Sequence, residues 1–429
     1  MDSSYYSSFN AAFSIAASIM ARVNRNKAKR RIKRLNEERK NIFKLGNVYP
    51  ENIIPNNQKI GNVIISGSTK ETRDNLIIQN CRQSVNSRIP VIILHEGNHH
   101  LEQMLQSSFY GHRFLRIINA TNSYYDPIHR LNDMEIGHFT AESSLGDHKI
   151  DSSDVIYIKA LCEILRKRGI TPYSRMLASC PHGKIPKLTV QMEQSGILST
   201  DEADRLRSEL SGGAKAQIEV EVFWQRLELE SPILAWKSDL SKCTSISECI
   251  QNKGVMAIDI ISCGRLSQLA FISTEIEHCA RMGIDFRIIV DALSFPENDK
   301  LSYALKNSSQ SLLWTLSSPD INRLIGNNRG DLSSWLASSH LSIFFSHGIK
   351  TSELLSAELG MYEQINIAES NTGNHSYGRM GYHWGSSSSI STSTKRTQII
   401  QPEEIESLGD NSFIMLDNYT ATISQGTLI

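Results

Sequence analysis

The sequence feature that most limits the possible folds lies at residues 61–80. There a short apolar run is followed by a glycine and then by a polar stretch that suits a helix. The segment reads GNVIISGSTKETRDNLIIQN. Asn62 to Ser66 are mostly β-branched, Gly67 permits a turn, and the residues after it favour a helix. A strand, a tight turn and a helix in this order predict a parallel α/β unit.

The alternation of apolar runs and helical stretches continues along most of the chain. Further candidate strands are Val91 to Leu94, Phe114 to Ile118, Val255 to Ile261, Arg287 to Val290, Ser311 to Leu316 and Leu341 to Phe345. Because most of these runs are continuously apolar, they predict strands covered on both faces, as in a mainly parallel sheet. Between Asp151 and about Trp236 helical periodicity replaces the strands, with a helix start at Ser199 ahead of Glu202. The sequence therefore predicts an α/β fold with an inserted all-α domain.

Four segments follow from these patterns. We expect an apolar and basic N-terminal helical arm at 1–45, a first part of the α/β domain at 46–150, an all-α insertion at 151–245 and a second part of the α/β domain at 246–429. Residues 366–397 lose hydrophobicity and gain Gly, Asn, Ser and Thr. This composition predicts a mobile loop or an extended interaction segment.

The charge of the chain is balanced overall and concentrated locally. Lys+Arg and Asp+Glu number 45 each, so no global field attracts nucleic acid or membrane. Seven cysteines are scattered without a C-x-x-C pair, which indicates a reducing cytosol. The apolar stretch Phe9 to Ala21 is interrupted by polar residues and is too short to span a bilayer. We expect a cytoplasmic protein, with peripheral attachment at the inner face of the membrane as an option for the arm.

The basic arm is the local exception to this balance. Its cationic side chains include Arg22, Arg25, Lys27, Lys29, Arg30, Arg31, Lys33 and Arg34. Such a helix could lie on an anionic membrane, contact nucleic-acid phosphates, or serve as a solvated or partner-docking helix. A basic run alone does not distinguish these polyanions and partners, so all three interpretations stay open.

The turn after the first strand resembles a phosphate-binding loop that has lost its essential residues. The motif G-x-x-x-x-G-K-[ST] wraps phosphates with backbone N–H groups, neutralises them with Lys and holds Mg²⁺ with the hydroxyl. The corresponding residues here are Gly67, Ser68, Thr69, Thr72, Arg73 and Asp74. Only the first Gly is kept, and at roughly 4 Å an Asp74 carboxylate would repel a phosphate by about 1 kcal/mol even in water. An ordinary βα turn is the alternative.

The order of later segments resembles the coupling-protein ATPases of conjugation and type IV secretion, the TraG/TraD class of the HerA/FtsK group. The segments that carry this resemblance are PVIILHEGN, LRIINATNSYYDPIHRL, FRIIVDALSF, SLLWTLSSPDINRLIG, HLSIFFSHGIKTSELLSAELG and TQIIQPEEIESLGDNSFIML. The resemblance runs from about Gly61 to Asp417. It implies a RecA-like P-loop NTPase fold, ATP and Mg²⁺ as ligands of active members, DNA transfer, and homo-oligomeric rings.

Departures from that family pattern fall on the positions that carry the chemistry. Asp291 matches the Walker B Asp, but Ala292 replaces the catalytic Glu and Leu316 stands where the family has a sensor Gln. Groups that position Mg²⁺ and water act as a unit, so their joint loss predicts no turnover and no nucleotide cofactor. We therefore expect a pseudo-ATPase that acts as a scaffold or adaptor among secretion or conjugation proteins. The alternative is a residually active DNA-translocating ATPase, since the guanidinium of Arg73 could bind phosphate weakly.

A second motif, HEGNH at residues 95–99, formally matches the H-E-x-x-H of zinc peptidases. In those enzymes two His one helical turn apart bind Zn²⁺ and the Glu activates water. Here the motif directly follows a predicted strand and contains Gly97 and Asn98, which favours a turn. A zinc hydrolase is the second alternative, and we expect no metal at this motif.

Overall fold

The computed structural model describes residues 3–119, 122–128, 130–144, 150–212, 214–230, 242–260, 265–292, 299–307, 311–322, 329–378 and 381–429. The chain divides into two compact units. One contains Met1–Gly46 and Ser346–Thr427, and the other contains Asn47–Phe345 and Leu428–Ile429.

The strands and helices of the described residues are numbered in chain order. The strands are β1 (Ile42–Val48), β2 (Val63–Ser66), β3 (Val91–His95), β4 (Leu115–Ile118), β5 (Tyr124–Tyr125), β6 (Cys243–Thr244), β7 (Val255–Asp259), β8 (Phe286–Asp291), β9 (Leu312–Ser318), β10 (Leu341–Phe344), β11 (Met361–Gly378), β12 (Gly381–Gln398), β13 (Ser412–Asp417) and β14 (Thr422–Leu428). The helices are α1 (Ser3–Lys40), α2 (Pro50–Ile53), α3 (Lys70–Asn86), α4 (His99–Ser108), α5 (Asp133–Ser143), α6 (Ser152–Lys167), α7 (Ser174–Ser179), α8 (Ile185–Gln194), α9 (Thr200–Ser211), α10 (Ala214–Glu230), α11 (Ile246–Gln251), α12 (Arg265–Arg281), α13 (Asp299–Asn307), α14 (Arg329–Ser338), α15 (Ile349–Glu358) and α16 (Pro402–Glu406).

A parallel sheet forms the core of the larger unit. Its strands lie in the order β10-β2-β9-β8-β3-β7-β4, and every neighbouring pair is parallel. All residues of β2, β3, β7 and β8 are buried, because helices cover both faces. The seven apolar runs expected to be strands are confirmed, although Ile261, the predicted end of one run, lies outside the described residues.

Helices α6 to α10 form the part of the larger unit that the sequence predicts to be all-α. Described residues from 150 to 230 contain no strand. The predicted helix start at Ser199 is confirmed, since its side chain accepts from Glu202 N while the Glu202 side chain caps Ser199 N. Such a capping box satisfies two donors that the first helical turn leaves open.

The smaller unit begins with α1, which ends earlier than predicted. Asn41 has a φ of 51° and breaks the helix, and β1 starts at Ile42 and lies beside β14. The helical arm therefore ends at Lys40 rather than at residue 45. Asn36 joins α1 to β11 through two hydrogen bonds: its Nδ2 donates to Ile365 O at 3.0 Å, and Ile365 N donates to its Oδ1 at 2.9 Å.

The described part of residues 366–397, which we expected to be a mobile loop or an extended interaction segment, belongs to a long antiparallel hairpin of β11 and β12. Pairing runs from Met361 with Gln398 to Gly378 with Gly381. Ser, Thr and Asn lower side-chain hydrophobicity, but the backbone groups that form a ladder are unaffected, so composition alone misses this ribbon. Across the described residues, no helix has the length and apolarity needed to cross a bilayer.

Candidate functional site

Polar residues meet at the carboxyl edge of the parallel sheet. The strand registers place Ser66 opposite Ser318, Asp291 opposite both Ser317 and His95, and His95 opposite Asp259. Loops that follow parallel strands converge at this edge, which is where open α/β sheets bind ligands. The residues predicted to form the nucleotide site should therefore lie at this edge.

Three backbone N–H groups in and just after the loop between β2 and α3 have partners within the protein. Gly67 and Ser68 adopt φ values of 85° and 67°, and Gly67 N donates to Ser318 O at 3.0 Å. Thr69 caps α3 by accepting from Thr72 N, and Arg73 N already bonds to Thr69 O. These three N–H groups are therefore not free to wrap a phosphate as the backbone of a P-loop does.

Arg73, at the position of the P-loop lysine, points back into its own loop. Its Nη1 donates to Gly67 O at 3.3 Å and to Ser68 O at 2.9 Å. The side chain is buried. Burial lowers the pKa of Arg73, and the charges of Asp291 and Asp74 oppose that effect. Its Nη1 is thus held by carbonyl groups of the loop, while its buried Nε has no hydrogen-bond partner among the described residues.

Asp74, at the position of the Mg²⁺-binding hydroxyl, is completely buried. Its Oδ1 accepts from Asn98 Nδ2 at 2.8 Å, and its Oδ2 lies 2.7 Å from His100 Nδ1. Burial raises the pKa of Asp74, while its hydrogen bonds to His100 and Asn98 lower it. The carboxylate expected to repel phosphate is therefore part of a closed polar network.

Asp291, the Walker B position, belongs to the same network. Asn98 Nδ2 donates to Asp291 Oδ2 at 2.8 Å, and Ser317 Oγ donates to Asp291 Oδ1 at 2.9 Å. Asn98 thus links Asp74 to Asp291 through one amide group, an arrangement that we call the Asn98 bridge. Its own Oδ1 accepts from Leu101 N at 3.1 Å, so the amide is fully used.

The two remaining predicted positions, Ala292 and Leu316, do not supply polar groups. Ala292 follows β8 with a φ of 61°, and its N donates to Ser317 O at 2.8 Å. Leu316 is buried in β9 opposite Val290. Side chains alternate along a strand, so Leu316 and its neighbour Ser317 point to opposite faces. Ser317, not Leu316, reaches the Walker B Asp.

Sequence reasoning missed Asn98 and Ser317 as site residues. Asn98 was predicted only as a turn residue within HEGNH, and Ser317 only as part of a segment that resembles the family. Ser317 lies near the end of β9, and Asn98 lies shortly after the end of β3. This position at the ends of strands was the signal that the sequence offered. Their importance comes from partners that are distant in sequence.

A Mg²⁺–triphosphate group at this edge would compete with bonds that the residues make to one another. Both oxygens of Asp291 are hydrogen-bonded, and a buried carboxylate stands in place of the hydroxyl ligand. Binding would require breaking the Asn98 bridge and withdrawing Arg73 from the loop carbonyls. Each buried polar group left without its partner costs about 1–3 kcal/mol.

The HEGNH segment is not the helix on which zinc peptidases carry this motif. His95 ends β3 and is fully buried, Gly97 has a φ of 56°, and His99 opens α4 with a 70% exposed side chain. His95 Nδ1 accepts from Asn98 N at 3.2 Å, which leaves the proton of a neutral ring on Nε2. The two His of the motif therefore lie on different elements and not one helical turn apart, so the expected turn is confirmed.

Three metal-ligand types, His99, Glu102 and Asp259, do come within 4.8 Å of one another. Their side chains already bond to protein groups. His99 Nδ1 lies 3.2 Å from Glu102 Oε2, Asn119 Nδ2 donates to both Glu102 oxygens at 3.3 Å, and Gly97 N donates to Asp259 Oδ1 at 2.9 Å. These contacts make the cluster a satisfied polar network beside the Asn98 bridge.

The cationic residues of the arm lie on α1, in the other compact unit. Arg22, Lys27, Lys29, Arg30, Arg31, Lys33 and Arg34 are exposed and Arg25 is half-buried. Arg34 Nε pairs with Glu38 Oε1 at 3.0 Å. The exposed cations form a basic helix surface that is available to solvent.

No protein-family model matches the chain, and no curated protein matches it. Solved structures of the plasmid coupling protein TrwB do match. The form in complex with the non-hydrolysable ATP analogue ADPNP is 14% identical, with a TM-score of 0.51, over 86% of this chain and 85% of that one. The trigonal form in complex with sulphate is 13% identical, with a TM-score of 0.50, over 93% and 92%. The resemblance read from the sequence is confirmed at the level of the fold, which is RecA-like α/β.

Proposed function

We propose that this chain is a catalytically inactive pseudo-ATPase that serves as a scaffold or adaptor in a type IV secretion or conjugation-like system. Its fold is that of a conjugative coupling protein. The observation that carries the loss of activity is the Asn98 bridge, because it occupies the Walker B carboxylate with protein donors. ATP and Mg²⁺ are accordingly not cofactors of this protein.

The intact sheet supports a structural role for the domain. Strands β2, β3 and β8 are buried along their whole length, so the residues that support the edge are retained while the residues for chemistry are replaced. If the domain keeps its fold but not the reaction, its role is to bind other proteins. We propose proteins of a secretion or conjugation complex as the partners, with a second copy of this chain among them.

The basic surface of α1 supplies an attachment point in this proposal. Its exposed cations would bind DNA or an anionic membrane, which would place the protein in the cytoplasm or at the inner face of the membrane.

Two assays on the purified protein test the pseudo-ATPase. We expect no Mg²⁺-dependent ATP hydrolysis above the rate of an Asp291→Ala control, and no binding of a fluorescent ATP analogue. The variant with Thr72→Gly, Arg73→Lys and Asp74→Thr should gain nucleotide affinity, since it removes the buried carboxylate and frees the loop.

The competing function is a residually active DNA-translocating ATPase. It would be supported by turnover that rises with added DNA and disappears in Asp291→Ala. The same result would refute our proposal. A folded triple variant that still fails to bind the analogue would show that the β2–α3 loop is not a relic P-loop.

A further inference from the structure

An open cavity of about 410 Å³ lies among α6, α7 and α8, in the helical part of the larger unit. Its floor is apolar. Leu165 and Ile185 are buried, and Ile170, Met176 and Leu188 are half-buried. Volumes of this size accommodate small ligands or a few side chains of a bound peptide.

Cys180 also lines the cavity, but it is not a reactive thiol. Burial raises the pKa of Cys180 to about 11, so the thiol stays protonated at neutral pH. The cavity is thus a binding surface and not a site of thiolate chemistry.

Three cations surround this floor. Arg168, Lys184 and Lys187 are exposed, and no Asp or Glu lines the cavity. The preceding residues on α6 differ: Arg166 pairs with Asp133 at 2.6 Å and Lys167 with Glu202 at 3.0 Å. Within the described residues, the three rim cations have no such carboxylate partner. The rim is therefore a local patch of uncompensated positive charge on a neutral chain.

We propose that this cavity binds an acidic segment of a partner protein, with a large apolar side chain in the floor and flanking carboxylates on the rim. Charge complementarity selects the carboxylates, and the apolar floor selects a side chain such as Leu or Phe. A nucleic-acid backbone suits the cavity less well, because phosphates need a row of cations and have no apolar group to insert. This inference rests on the proposed scaffold role and names the chemistry of one partner.

The test uses the full chain and a short fluorescein-labelled peptide in which Glu and Asp flank one Leu and one Phe. Fluorescence anisotropy should show binding that weakens about tenfold or more in the variant Arg168→Glu, Lys184→Glu and Lys187→Glu. A matched control is Arg113→Glu, Lys253→Glu and Lys350→Glu, which changes the net charge equally at exposed positions outside the cavity. The control should bind within about twofold of the unmodified protein.

Two further measurements separate the contribution of the rim cations from that of the apolar floor. A peptide with Ser in place of Leu and Phe should lose binding, and so should the protein variant Leu188→Glu. Thermal unfolding of each variant establishes that it folds. Equal weakening by both triple variants would overturn the proposal, because it would show general electrostatic attraction. Preferential binding of a single-stranded oligonucleotide at the rim would overturn it as well.

The outcome is distinguishable from that of the nucleotide assays. ATP hydrolysis together with peptide binding at the cavity would refute only the pseudo-ATPase. A protein that neither hydrolyses ATP nor binds the peptide would refute only the proposed partner of the cavity.

Discussion

Asn98 Nδ2 lies 2.8 Å from Asp291 Oδ2 and also donates to Asp74 Oδ1 at 2.8 Å. One neutral amide therefore joins the two carboxylates that the sequence matches to the Walker B Asp and to the position of the P-loop hydroxyl. All three side chains are buried, where hydrogen bonds to charged groups are strong and a lost partner is costly. The hydrogen bonds of the Asn98 bridge consequently stabilise the edge of the sheet.

Removing the bridge should destabilise the protein. We expect Asn98→Ala to lower the free energy of unfolding by roughly 2–4 kcal/mol, because two buried carboxylates lose a donor and α4 loses its N-cap. Urea denaturation measures this. The control Asn122→Ala, at an exposed position, should change it by less than about 0.5 kcal/mol. Similar stability of Asn98→Ala and the unmodified protein would mean that the bridge is dispensable.

Zinc should not bind stoichiometrically at HEGNH or at the adjoining His99, Glu102 and Asp259 cluster. The side chains there already bond to protein groups, so a metal ion would have to displace those contacts. Elemental analysis after exposure to Zn²⁺ and desalting measures the content. His99→Ala serves as the comparison because its side chain is largely exposed and its loss leaves the core intact. One zinc per chain that disappears in His99→Ala would contradict this prediction.

The exposed cations of α1 should be responsible for binding of the protein to polyanions. Deleting residues 1–45 would also remove part of β1, so substitution is the cleaner design. We expect Lys27→Gln, Arg30→Gln and Arg31→Gln to weaken binding to anionic vesicles or DNA several-fold at low salt, with a shallower salt dependence. Titrations with each polyanion identify which one binds. The matched control is Arg113→Gln, Lys253→Gln and Lys350→Gln, and an equal effect of the two triple variants would assign the attraction elsewhere.

The stability of the protein should fall as pH rises, because Glu275 then loses its proton. This carboxyl is fully buried, accepts from Tyr125 Oη at 2.5 Å and from Ser247 N at 2.9 Å, and burial raises its pKa above the ordinary 4.5. The folded state then keeps the proton longer than the unfolded state. The contribution is fully present below 4.5 and is lost as pH rises through the raised pKa.

The substitution Glu275→Gln isolates that contribution, because a neutral amide does not titrate. The free energy of unfolding, measured by urea titration from below 4.5 to neutral pH, should fall for the unmodified protein relative to Glu275→Gln. Other buried carboxyls affect both proteins alike and cancel in the difference. A difference that stays constant with pH would show that Glu275 does not titrate abnormally.

The sequence by itself determined the strands of the parallel sheet and the helical part between them. Continuous apolar runs must be covered on both faces, and a 3.6-residue period must be helical, so local patterns were sufficient. The same patterns placed Gly67 after a strand, and the family resemblance placed Asp291 at the end of another. They did not locate the end of α1 or the hairpin of β11 and β12, where a left-handed Asn41 and backbone pairing decide the structure.

Only the tertiary structure decided what the site residues do. Asn98 is 24 residues from Asp74 and 193 from Asp291, and parallel strand order alone brings the three together. The inward turn of Arg73 and the choice of Ser317 over Leu316 likewise depend on contacts between neighbouring strands and loops. Hydrogen bonding between distant residues has no periodic trace in a sequence, so only the fold shows the network that joins Asn98 to the two carboxylates.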